Sequence, residues 1–120
     1  MSYARNRSVG RFGEDVAARH LQGQGMVLLD RNWRCRFGEI DLVLRDGPTL
    51  VVCEVKTRSS DRYGGPFEAV TDLKATRLRR LAGEWLDQHQ VTPSAVRIDV
   101  VSVLLPKRGA PRVERVAGVA

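Results

Sequence analysis

The chain has little of what zinc centres and disulfide frameworks are built from: two cysteines and two histidines in 120 residues. Cys35 and Cys53 lie far apart and outside any metal-ligand spacing. Cys53 falls inside the apolar run Leu50–Val55, where a buried reduced thiol is expected. His20 and His89 each fall near an expected helix end with no second ligand nearby, which argues against zinc and against histidine-based catalysis. No apolar run approaches the roughly 20 residues of a bilayer-spanning helix. The basic start, Met1 to Arg7, has no apolar stretch behind it, so no signal peptide is read and a cytoplasmic protein without a membrane partner is expected. Internal repeats and low-complexity blocks are absent as well. Lysine is scarce, since 17 of the 20 basic residues are arginine. That skew is compatible with genome composition alone.

What is present describes one globular domain over residues 1–120, with 1–7 and 117–120 as candidate tails. Hydrophobic residues make up 42% and charged residues 28%, and the length suffices for one core and not for two. The formal charge of +6 and the pI near 10.1 point to a polyanionic partner such as nucleic acid. The arginines cluster at Arg5, Arg7 and Arg11, at Arg31, Arg34 and Arg36, and at Arg77, Arg79 and Arg80. A guanidinium suits phosphate because its planar fork donates two hydrogen bonds at once.

Periodicity predicts a first helix from a Ser8 cap to about Gln22, ended by Gly23-Gln24-Gly25, with Val9, Phe12, Val16 and the flank of His20 as its core stripe. Glu14 lies off that stripe among Gly10, Ala17 and Leu21, small enough neighbours to let a backbone or ligand approach. Strands are predicted at Met26–Trp33, Glu39–Arg45, Thr49–Thr57, Val96–Leu104 and near Arg112–Val116. A Gly/Pro/Ser-rich loop covers Ser59–Pro66, and a second helix runs from Thr71 to His89 on Leu78, Leu81, Ala82 and Trp85. Strand, helix and strand from Thr49 to Leu104 form a crossover unit, so the sheet is mixed, with helices on its apolar faces.

The turn at Asp46-Gly47 predicts a hairpin in which Arg45 faces Pro48, Ile40 faces Cys53, Asp41 faces Val52 and Glu39 faces Glu54. One face then carries Ile40, Leu42, Leu44, Val51, Cys53 and Val55. The other carries Glu39, Asp41, Glu54 and Lys56, with Val43, Leu50 and Val52 toward the turn. In that register Asp41 and Glu54 are diagonal neighbours, roughly 7–8 Å apart at the backbone, able to converge on one ion. Hard oxygen donors without nitrogen or sulfur favour Mg²⁺ or Mn²⁺. Lys56 would share that face and could stabilise charge on a phosphoryl oxygen. The spacing by itself leaves a solvated face open, its acids balanced by Lys56, Arg45 and Arg58. Against this, Val51-Val52-Cys53-Glu54-Val55 has the composition of a central strand, a costly place for an unpaired acid.

Several motifs occur in order: Gly13-Glu14-Asp15-x-Ala17-Ala18, Asn32-Trp33-Arg34, Gly38-Glu39-Ile40-Asp41-Leu42-Val43 and Glu54-Val55-Lys56-x-Arg58. Gly65-x-Phe67-Glu68-Ala69-Val70, Lys74 and Arg97-x-Asp99-Val100-Val101 follow. Together they resemble the YraN-like family of bacterial proteins, described as endonuclease-like, from about Gly10 to Val103. That family is similar in fold to the PD-(D/E)xK nucleases, the restriction-endonuclease-like superfamily, and especially to archaeal Holliday-junction resolvases. The resemblance implies an α/β fold with a central mixed β-sheet flanked by helices. It implies Glu14, Asp41 and Glu54 as ligands of Mg²⁺ or Mn²⁺, with Asp41, Glu54 and Lys56 as the catalytic set. The proline that names the superfamily is absent before Asp41, where Ile40 stands. Arg11, Arg34, Arg58 and Lys74 are the expected nucleic-acid contacts, with DNA favoured over RNA and a homodimer expected by analogy. Trp33 is expected to pack rather than stack on a base, and Arg97 with Asp99 to form an ion pair. The expected activity is metal-dependent endonucleolytic hydrolysis, possible on branched DNA. The rival is a non-catalytic nucleic-acid-binding or protein-interaction module on the same scaffold.

Overall fold

The computed structural model describes residues 3–59 and 72–119. The loop after Ser59, Thr71 and the Gly65–Val70 motif lie outside the described residues, as do Met1, Ser2 and Ala120. The elements are α1 (Tyr3–Gly23), β1 (Val27–Cys35), β2 (Gly38–Asp46), β3 (Thr49–Arg58), α2 (Asp72–His89), β4 (Ala95–Leu104) and β5 (Arg112–Val116). The strands form one sheet in the order β1-β2-β3-β4-β5, antiparallel throughout except for the parallel β3–β4 pair across the α2 crossover. This is a mixed five-stranded α/β sheet flanked by two helices, compatible with a restriction-endonuclease-like fold.

Each helix covers one apolar layer. Ala17, Ala18 and Leu21 of α1 pack on Leu42, Leu44, Val51, Cys53, Val101 and Val103. Leu78, Leu81, Ala82 and Trp85 of α2 pack on Ile40, Val43, Leu50, Val52 and Ile98, with Trp33 packed at the margin of that layer. Fully burying a side chain of this size stabilises by roughly 1.5–3 kcal/mol. The indole N–H of Trp85 donates to Asp30 Oδ2 at 3.0 Å, which ties α2 to the edge strand. In the first layer the buried carboxylate of Asp99 accepts from Arg97 Nε at 2.8 Å and Nη2 at 3.0 Å, the expected ion pair. It also accepts from Arg115 Nε at 3.2 Å and from the backbone N–H of Gly118 at 3.1 Å. The segment after β5 is therefore bonded to the sheet at Gly118 and again at Val119, whose N–H donates to the Ile98 carbonyl.

Three expectations are corrected. First, α1 begins at Tyr3, so Ser8 lies inside the helix and does not cap it. Its packed stripe is the small one, Gly13, Ala17, Ala18 and Leu21, while Phe12 is half exposed. Small side chains let the helix axis come close to β3, which a Phe12 stripe would prevent. Second, the hairpin closes with Asp46 opposite Thr49, so Gly47-Pro48 forms the turn, Gly47 taking φ +58. Leu42 thus faces Cys53 and Val43 faces Val52, two residues away from the expected register. A shift of two preserves the alternation of faces. Third, Ile40 does not share a layer with Leu42: it packs under α2, whereas Leu42 packs under α1. The alternation breaks at Asp41. Between the pairs Arg31–Leu42 and Trp33–Ile40, Asn32 adopts a left-handed φ of +49, one of the few such conformations asparagine tolerates well.

Helical glycine usually gives way to alanine with a gain of about 1 kcal/mol, and Gly83 on α2, with open space around it, is expected to do so. At Gly13 the sign is reversed, because a Cβ would lie 2.8 Å from Thr57 Cβ and closer still to its hydroxyl. Gly13→Ala is expected to cost about 1–3 kcal/mol by overpacking. Adding Thr57→Ala should recover part of it. Urea denaturation of the two single variants and the pair reads both effects.

Candidate functional site

The β2–β3 ladder ends at Leu42–Cys53, and beyond it the strands fork. In the fork the carboxylate of Asp41 accepts the backbone N–H of Val55 at 2.8 Å, taking a place that a main-chain carbonyl fills elsewhere in the ladder. Glu14 from α1, Glu39 from β2 and Glu54 from β3 are near enough to act on Asp41 electrostatically. Burial, then the charges of Glu14, Glu54 and Glu39, push the Asp41 carboxyl up to about 6, against the opposing bond from Val55. Burial likewise raises the Glu14 carboxyl, opposed by a hydrogen bond from the Asn32 side chain and by Arg31.

Glu54 faces two lysines. Lys74 Nζ lies 2.8 Å from Glu54 Oε1 and Lys56 Nζ 3.8 Å from the same oxygen. The other oxygen, Oε2, is buried without a hydrogen-bond partner among the described residues. The Lys56 ammonium is lowered by burial and then by the adjoining Lys74. Burial opposes the charge of Lys74 too, but its bonds to Glu54 and Lys56 hold it above the usual range. Strand alternation sets Glu54 and Lys56 on the α2 side of β3, with Leu50 and Val52, which is why a residue of α2 can reach them.

Sequence reasoning and structure meet here unevenly. Glu14, Asp41, Glu54 and Lys56 are brought into one neighbourhood from three elements. Among the described residues, however, no three acidic, histidine or cysteine side chains form a group that could hold an ion in this arrangement. Glu54 is turned to Lys74 and Asp41 to Val55. Lys74, expected on nucleic acid, points inward. Arg34 is largely exposed and pairs with Glu39 at 3.3 Å, directly across the β1–β2 hairpin. Arg11 is exposed on α1. With Gly10, Glu14, Asn32, Arg34 and Glu39 it lines an open cleft of about 350 Å³. Arg58 ends β3, half-buried. The bond from Asn32 to Glu14 is not among the sequence expectations. The available signal was that asparagine suits a left-handed turn of backbone. Cys53 is buried and its thiol raised by that burial, so it is inert.

The raised Asp41 carboxyl makes its ionisation a cost to folding. With a folded value near 6 and an ordinary value of 3.8, the penalty is complete above pH 6, shrinks as pH falls, and is gone below both values. Asp41→Asn is therefore expected to be more stable than the parent at pH 7.5 in chelator, by about 1–2 kcal/mol after allowance for solvent screening. The difference should close toward pH 4. Denaturation across that range reads it, and equal stability at pH 7.5 would contradict the cause given for the shift.

The model of the uncharacterised protein family UPF0102 matches residues 13–103. A UPF0102 protein of Nocardioides is 61% identical over 94% of this chain and 91% of the relative. One from Frankia alni is 60% identical over 92% of each chain, and one from Streptomyces coelicolor 59% identical over 94% of this chain and 88% of the relative. The YraN-like resemblance carried by the motifs agrees with these matches, and the chain belongs to the UPF0102 family.

Proposed function

We propose that this protein is a metal-dependent endonuclease that hydrolyses phosphodiester bonds of nucleic acid, DNA before RNA. The observation that carries the reading is Asp41 held in the β2–β3 fork beside the carboxylates of Glu14 and Glu54, with Lys56 3.8 Å from Glu54. Acids gathered in a partly buried place repel one another unless a cation joins them. Glu54 Oε2 has no hydrogen-bond partner among the described residues, and burial with the neighbouring acids raises the Asp41 carboxyl, both of which a bound cation would relieve. The donors are all oxygen, which suits Mg²⁺ or Mn²⁺. Glu14, Asp41 and Glu54 would hold the ion, Glu54 by turning from Lys74. Bound there, such an ion polarises a phosphoryl oxygen and makes its water a better nucleophile.

The chain's own residues supply the rest. In hydrolysis the oxygen of water bonds to phosphorus, the bond to one ester oxygen breaks, and that oxygen leaves with a proton. Lys56, beside Glu54, stabilises the negative charge that grows on the phosphoryl oxygens. The backbone bond from Val55 keeps Asp41 from rotating away. Arg11 and Arg34 at the cleft, with Arg58 at the end of β3, hold the substrate backbone through phosphate and do not read sequence. A homodimer belongs to the same reading through the resolvase resemblance.

A second reading has one observation in its favour. Glu54 is already neutralised by Lys74 at 2.8 Å, as in a non-catalytic nucleic-acid-binding or protein-interaction module that kept its acids for structure. One panel decides between them: linear, flapped and four-way DNA incubated with Mg²⁺, Mn²⁺ or chelator. Cleavage by the parent in either metal is expected. Glu54→Ala and Lys56→Ala should each lower it by at least about a hundredfold, the scale of a lost charge-stabilising group, while binding persists. No cleavage by the parent on any substrate favours the binding module. Parent-like cleavage by both variants removes those residues from the chemistry.

A further inference from the structure

Away from the carboxylates, the tip of the β1–β2 hairpin meets the exposed side of α2. Cys35 pairs with Gly38, leaving Arg36 and Phe37 as the turn, and a Cβ at Gly38 would touch Leu81 of α2 at 3.5 Å. Phe37 packs at the margin of the α2 layer. The Arg80 guanidinium carbon lies 3.8 Å from the centroid of the Phe37 ring and that of Arg36 lies 4.8 Å from it. Both arginines are exposed, and among the described residues no carboxylate pairs with either.

Two like charges drawn to one ring repel each other, and the attraction of each to the ring is only about 0.5–1 kcal/mol at an exposed site. Among the described residues the cluster has no ion-pair partner to balance it. Stacking uses the face of a guanidinium and leaves its in-plane N–H donors directed outward, in the fork that matches a phosphate. Two guanidinium groups lie against the Phe37 ring, which itself packs at the margin of the α2 layer. What remains for a partner to meet is charge and hydrogen-bond donors, without means of telling one base from another.

We infer that Arg36 and Arg80, ordered by Phe37, form a phosphate clamp that grips the nucleic-acid backbone outside the carboxylate site, whatever its sequence. The inference rests on the nuclease reading for its choice of polyanion, and the net charge of +6 suits it. Arg80 follows Lys74, the partner of Glu54, by six residues, about 9 Å of helical rise. Arg77, exposed one turn earlier on α2, adds charge between them.

The test is fluorescence anisotropy with labelled duplexes of two unrelated sequences, in chelator so that nothing is cut, across a series of salt concentrations. Arg36→Ala with Arg80→Ala is expected to weaken binding to both duplexes about 10- to 100-fold near 0.1 M salt. The slope of log affinity against log salt should become shallower by nearly 2, at about 0.9 for each lost phosphate contact. Phe37→Leu keeps both charges but not their ordering and should lose part of the affinity, measured well below a melting temperature that falls by a few degrees; if it fails to fold, the arginine pair decides. Parent-like affinity and slope in the arginine variant would overturn the clamp and leave the nuclease reading standing. A loss confined to one of the two sequences would also overturn it. If the parent binds neither duplex, clamp and nuclease reading fall together, whereas intact binding with no cleavage under any metal removes only the latter.

Discussion

Asp41 takes the amide hydrogen of Val55 where the β2–β3 ladder has stopped. That one bond lets the sheet part without leaving a buried donor unsatisfied, a cost of about 1–3 kcal/mol wherever it occurs. It also holds a carboxylate between two strands instead of on one face of the sheet. From that position Asp41 neighbours Glu14, delivered by α1, and Glu54, on the side covered by α2. Lose the fork and the acids become residents of separate layers. The local wrench in β1 and β2 belongs to the same feature, since Asn32 bends backward where Ile40 and Leu42 part company.

Charge then sets the character of the fork. Concentrating acids in a partly buried place works against folding, and the raised Asp41 carboxyl is the measure of it. The protein offsets this with lysines on one oxygen of Glu54, with Asn32 on Glu14 and with Arg31 nearby, yet among the described residues Glu54 Oε2 has no hydrogen-bond partner. A purely structural network is normally satisfied throughout, because a half-satisfied one is worse than an apolar core. The contrast lies within the same molecule: the buried carboxylate of Asp99 accepts from two arginines and a backbone amide. The Asp99 carboxylate is bonded on both oxygens, whereas Glu54 keeps one oxygen without a hydrogen-bond partner among the described residues.

Much of this was legible in the residues. From Leu42 to the turn the two faces of the hairpin survive a register error of two, because side-chain direction repeats every two residues, whereas Ile40 changes layer at the Asp41 break. The parallel β3–β4 pair follows from the length of the crossover, and the buried face of α2 from its spacing. The errors have specific causes. Gly47-Pro48 displaces Asp46-Gly47 as the turn, for a dipeptide preference leaves open which residues close the ladder. The stripe of α1 was misassigned because Phe12 outweighs alanine in hydrophobicity, whereas Gly13, Ala17 and Ala18 win by allowing the helix close to Thr57.

The sequence by itself determined the layered α/β architecture and the surplus of arginine, because periodicity, composition and strand parity are local and additive. Only the tertiary structure decided where the sheet forks, that Lys74 turns inward to Glu54, and that Arg36 and Arg80 meet on one aromatic ring. Those outcomes join residues far apart in the chain, and they are set by how closely two packed layers approach, a quantity that no local pattern encodes.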